Sequence, residues 1–171
     1  MSLSEYILEI KTVQVSAFRT LIEALKEILT DANFEFDSTG MKVMAMDTSH
    51  TVLVHLKLQA ERFVSYYCPG KAVLGLNMIN YFKLIKTMGN NDTLTLYVLK
   101  SNPNVLGIKI ENSEKNQMTI YNINLMDVDQ TEIEIPPAEF DSVITLPSVE
   151  FQKIIRDMHN LSDKIEIKSA G

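Results

Sequence analysis

Three similar stretches, "ALKEI" (residues 24–28), "LIKTM" (84–88) and "IIRDM" (154–158), each set one cation among apolar side chains, and a second base stands seven or three residues before each of these cations, making six in all. On a helix turning about 100° per residue, Arg19 and Lys26 share a face, as do Lys83 with Lys86 and Lys153 with Arg156. The opposite faces hold Leu21, Leu25 and Ile28; Tyr81, Leu84, Ile85 and Met88; and Phe151, Ile154, Ile155 and Met158. These helices carry six bases and four acids, while the rest of the chain has 10 bases against 18 acids. Two readings follow. The bases are solvated helix faces that favour the C-terminal dipole by about 0.3–1 kcal/mol each, or they form a repeated layer that attracts a polyanion. Duplex DNA is the candidate polyanion, bound through phosphates with a salt slope of about −0.9 per neutralised charge. No recognition helix, zinc module or aromatic RNA platform points to base readout.

Catalytic chemistry finds less support. Asp47, Ser49 and His50 have the residue types of a nucleophilic triad, but adjacent residues of an extended segment point to opposite sides, so Ser49 and His50 do not exchange a proton. His55 and His159 stand alone, Cys68 is the only cysteine, and no Gly-rich phosphate loop follows a strand. The expectation is no enzyme, no metal and no cofactor.

The elements that must place the bases repeat as well. Each helix (residues 16–29, 77–88 and 148–158) follows an alternating apolar segment (13–15, 73–76, 143–146) and precedes another (33–36, 93–98, 164–167). Ser16, Asn77 and Ser148 are the expected N-caps. Further alternating runs at 41–46, 51–58, 105–111 and 117–125 make the fold class α+β, with helices on one face of antiparallel sheets. Two units fill a first domain, 1–125. Residues 126–141, with six acids, no base and the pair Pro136–Pro137, read as a connector. A second domain opens at 142 and is expected to be incomplete at 171.

A net charge of −6 argues against a coat of nucleic acid, and 46% apolar with 22% charged residues is the composition of a chain that folds. One cysteine fits a reducing compartment, which makes the sequons at 91–93 and 160–162 chance matches. No secretory signal or membrane-spanning run is evident. Residues 116–126 carry no charge, so they lie inside a sheet or form an edge that pairs with another subunit.

Four ordered segments, "IEALKEIL" (22–29), "MAMDTSHTVLVHLKL" (44–58), "NLMDVD" (124–129) and "LPSVEFQKIIRDM" (146–158), resemble the sliding clamps of eukaryotes and viruses, the proliferating cell nuclear antigen family. The resemblance runs along essentially the whole chain and covers the family's first domain, connector and the opening of its second. It implies a clamp fold and a homotrimeric ring, when full length, that encircles duplex DNA without sequence preference. Arg19, Lys26, Lys83, Lys86, Lys153 and Arg156 match pore-facing bases, while Thr20 stands where the family often has a second lysine. It also implies a groove for peptide motifs of DNA polymerase, the clamp loader and other replication and repair proteins, built from Met46, His50, Leu53, Ile133, Ile135 and Phe140. Thr51 replaces an apolar residue common there. Tyr121 and Ile123 match the subunit joint, whose complementary edge is expected beyond residue 171, so that this chain alone does not close a ring. The implied location is the nucleus or the replication compartment of a large DNA virus. A clamp-like adaptor of a mixed damage-signalling ring, or a peptide-binding scaffold, is the alternative.

Overall fold

The computed structural model describes residues 3–129, 139–140 and 142–168. The chain divides into two compact units, Met1–Ile133 and Glu134–Gly171.

In the first unit nine strands form two antiparallel sheets. Sheet A has the order β5-β1-β7-β8-β9 and comprises β1 (Tyr6–Thr12), β5 (Ser65–Tyr67), β7 (Thr93–Leu99), β8 (Asn102–Asn112) and β9 (Gln117–Asn124). Sheet B has the order β4-β3-β2-β6 and comprises β2 (Asp31–Asp37), β3 (Gly40–Met46), β4 (Leu53–Gln59) and β6 (Ala72–Asn77). Helices α1 (Val15–Ile28) and α2 (Met78–Ile85) pack against both through one core. Antiparallel sheets with separate helices confirm the α+β class.

Alternation does most of the work. Leu8 and Ile10 of β1, Phe34 and Phe36 of β2, Leu94, Leu96 and Val98 of β7, and Leu106, Ile108 and Ile110 of β8 all turn inward. Each such burial contributes about 1.5–3 kcal/mol. Tyr66 of β5 joins the sheets: its hydroxyl lies 2.7 Å from both the Asp37 and Gly40 carbonyls at the β2–β3 turn. Gly40 sits there at φ 144°, a left-handed conformation that glycine alone adopts freely.

Several local expectations change. The first strand is Tyr6–Thr12, not residues 13–15, and Val15 is the first buried residue of α1. The inward face of α1 is Val15, Phe18, Ile22 and Leu25, continued by Leu29, so the wheel is rotated by about one residue and Ile28 is exposed. Of the three expected caps only Asn77 acts, accepting from the Asn80 amide at 3.1 Å. The caps of α1 and α3 fall on Gln14 and Pro147, neither with a side-chain bond.

In the second unit α3 (Ser148–His159) is the element formed among the described residues. Residues 143–146 and 164–167, expected as strands, form no ladder, because a strand exists through its neighbour's hydrogen bonds and the described residues of this unit supply none. The latter segment lies along α3, where Ile154, Met158, Leu161, Ile165 and Ile167 line a concavity of about 410 Å³.

Candidate nucleic-acid face and docking face

The helices α1 and α2 run side by side in opposite directions. Arg19, early in α1, reaches the turn after α2, while Lys26, late in α1, lies over the Phe82 ring of α2 at 4.9 Å. Tyr81 and Ile85 point into the core, which turns Lys83 and Lys86 outward, and both are exposed. Lys26 is half-buried and paired with Glu27. The Arg19 guanidinium donates to the Met88 carbonyl (2.5 Å) and to Asn90 Oδ1 (2.7 Å). Four of the six bases therefore occupy one helical layer, two open and two engaged. Lys153 and Arg156 are exposed on α3 of the second unit, on a helix whose stripe of Phe151, Ile154 and Met158 is also exposed.

Register decides the second face. Met46 pairs directly with Leu53, Met44 with His55 and Lys42 with Lys57, while Met41 and Val43 face the core. Met46 and Leu53, 37% and 39% exposed, therefore stand on the outer face of sheet B rather than in the interior. Asn33 and Gly75 face each other across β2 and β6, on that same outer face. The chain leaving β9 crosses there: the Met126 amide donates to the Gly75 carbonyl (3.0 Å) and Asn33 Nδ2 to the Val128 carbonyl (2.9 Å). A β-carbon at Gly75 would lie 1.9 Å from the Met126 oxygen, so the crossing requires glycine.

Beside Met46, one carboxylate organises the loop that carries His50. Asp47 accepts from the amides of Ser49 (3.3 Å), Thr51 (2.8 Å) and Val52 (2.7 Å) and from the Ser49 hydroxyl. The Ser49 hydroxyl, then the loop amides, hold its pKa well below the usual carboxylate range. His50 sits exposed at the tip with φ 55°. Ser49 is thus bound to Asp47, and His50 takes no part in a triad. Phe140 is 77% exposed in the second unit; Ile133 and Ile135 lie outside the described residues.

The third feature is β9, which pairs with β8 along one side and ends sheet A. Among the described residues the uncharged stretch lies at an edge of sheet A rather than inside it. Tyr121 and Ile123 pack half-buried on the core side, while Met118 and Ile120 are exposed on the other. Sequence reasoning missed Asn33, Gly75 and the organising role of Asp47. A glycine inside "VLGLN" and the Asp-Thr-Ser pattern were the available signals.

Two antiparallel sheets under a helical layer with outward lysines define the class of the DNA clamp fold. The family profile "Proliferating cell nuclear antigen, N-terminal domain" matches residues 7–133, and "Proliferating cell nuclear antigen, C-terminal domain" matches 134–170. The chain belongs to the proliferating cell nuclear antigen family. It is 39% identical over 162 residues to "Probable DNA polymerase sliding clamp 1" of Paramecium bursaria Chlorella virus 1, covering 95% of this chain. It is 35% identical over 162 residues, again 95% of this chain, to "Proliferating cell nuclear antigen" of Chaetomium thermophilum (strain DSM 1495 / CBS 144.50 / IMI 039719). The chain spans 62% of the length of each relative.

Proposed function

We propose that the chain is part of a sliding clamp that encircles duplex DNA, holds a polymerase to its template and offers a docking face to replication and repair proteins. The observation that carries this reading is the outward pair Lys83 and Lys86 on a helix whose other side is locked into the core. Fixed cations on a rigid layer attract phosphates without reading bases, which is the requirement for sliding. Lys26 contributes to the same layer, and Lys153 and Arg156 supply the equivalent charge from the second unit. Partner peptides dock beside Met46, His50 and Leu53, and the family resemblance adds Ile133, Ile135 and Phe140 to the residues that receive them. Tyr121 and Ile123 stand at the subunit joint of a homotrimer, where β9 accepts a strand. This reading divides the chain into a clamp domain (1–125), a connector (126–141) and the opening of a second clamp domain (142–171), working in the nucleus or in a viral replication compartment.

The test uses the protein isolated from its natural source. Light scattering is expected to give three subunits, and the ring, once loaded, stays on circular DNA and slides off after linearisation. Substituting K83Q or K86Q is expected to lessen the slope of log binding constant against log salt by up to about 0.9 each, one phosphate's worth. Equal retention on circular and linear DNA, with slopes unchanged in both variants, would overturn the reading.

A further inference from the structure

Arg19 differs from the lysines of its layer because both arms of its guanidinium are engaged within the fold. One arm donates to the Met88 carbonyl at 2.5 Å and the other to Asn90 Oδ1 at 2.7 Å, closing the turn after α2. Inside that turn the Gly89 amide donates to Asp92 Oδ2 (2.7 Å), and Asn112 Nδ2 donates to Asp92 Oδ1 (2.6 Å). Asn112 is the last residue of β8, and its side-chain oxygen accepts from the Lys115 amide (2.9 Å) in the turn that leads into β9. Asp92 is 8% exposed, so its carboxylate is held by these donors rather than by water. An unbroken series of hydrogen bonds and short backbone links thus runs from α1, through the end of α2, to the start of the edge strand.

We propose that Arg19 is a positioning residue: it fastens the turn after α2 and, through Asp92 and Asn112, fixes the β8–β9 turn from which the edge strand starts, instead of neutralising a DNA phosphate. The functional weight of this role rests on the clamp reading, in which β9 forms the subunit joint. The planar guanidinium suits the site, because its two arms reach a carbonyl and an amide oxygen at once from a fixed fork, while an ammonium is a compact point charge without that fork. Two of the five guanidinium N–H donors are committed in this way, and a phosphate that drew the group out of its place would break both bonds and release the turn. The layer therefore separates two tasks, with Lys83 and Lys86 free for DNA and Arg19 committed to the edge.

The test is hydrogen exchange on the whole chain, read at the Gly89 and Lys115 amides, with the amides of β3 as an internal control. R19K and N90A are expected to speed exchange at both amides by roughly tenfold while β3 is unchanged, since each removes an arm or its acceptor. N90D keeps an acceptor and is expected to protect them at least as well as the parent. K86Q leaves them unaffected. R19K rates within about twofold of the parent at Gly89 and Lys115, or an equal acceleration in β3, would overturn the proposal. So would R19Q lessening the salt slope of duplex binding as much as K86Q does. Should the parent show no duplex binding at all, the clamp reading fails, and the exchange rates still decide the role of Arg19.

Discussion

Asp47 holds a loop together with a carboxylate at the surface, so its contribution depends on charge. Its folded pKa lies below the ordinary carboxylate value near 3.9. A group depressed in this way contributes fully above the unfolded value and loses its contribution as pH falls through the folded one. The Thr51 and Val52 amides are therefore expected to stay protected on acidification through about pH 4 and to open only below it, which exchange-resolved NMR would follow; D47A should lose the protection at neutral pH. Thr95 is the opposite case. It is 3% exposed between Lys11 and Lys109, and its hydroxyl has no partner among the described residues. T95V keeps the β-branched shape and removes the unpaired group, so urea unfolding is expected to show a gain of about 1 kcal/mol. Neither role was visible in residue type alone, because a partner, or its lack, is fixed by which strands meet.

At the scale of elements, the helices and most of the long strands, though not β1, were legible in the sequence, since 3.6-residue and two-residue periods survive in any context that buries one side. What failed were short or locally ambiguous pieces. The run at 13–15 alternates like a strand, yet Thr12 closes it by accepting from the Gln14 amide (3.1 Å) and Val15 enters a helix. The three-residue β5 is set by pairing with β1, which no local pattern announces. Met46 and Leu53 are by residue type fit for a core, and register turned them outward. Placement of the chain after β9 depended on Gly75, and this gives a sharp expectation. G75A forces a β-carbon onto the Met126 backbone, where no side-chain rotation relieves the clash. Loss of both anchoring bonds should cost about 1–3 kcal/mol in urea unfolding and make residues 126–129 a preferred site of limited proteolysis.

The two units differ as bodies. The first closes one core around two sheets and two helices, and the second leaves the apolar stripe of α3 exposed within its own described residues. Family, fold class and the segregation of bases onto helices were therefore readable from the chain, whereas the commitment of Arg19 and the crossing at Gly75 required three dimensions. The hydroxyl of Tyr66 that bridges the sheets has a further consequence together with Tyr81, buried in the core. Burial raises both phenol pKa values well above 10, so the folded molecule retains two protons that the unfolded chain gives up. Stability from this source is whole below about pH 10 and drains away above it. In an alkaline titration followed by tyrosinate absorbance, these two phenols should ionise last, in one step coincident with loss of far-ultraviolet ellipticity. Two dark chromophores that light up together would make strong base an intrinsic readout of when the sandwich comes apart.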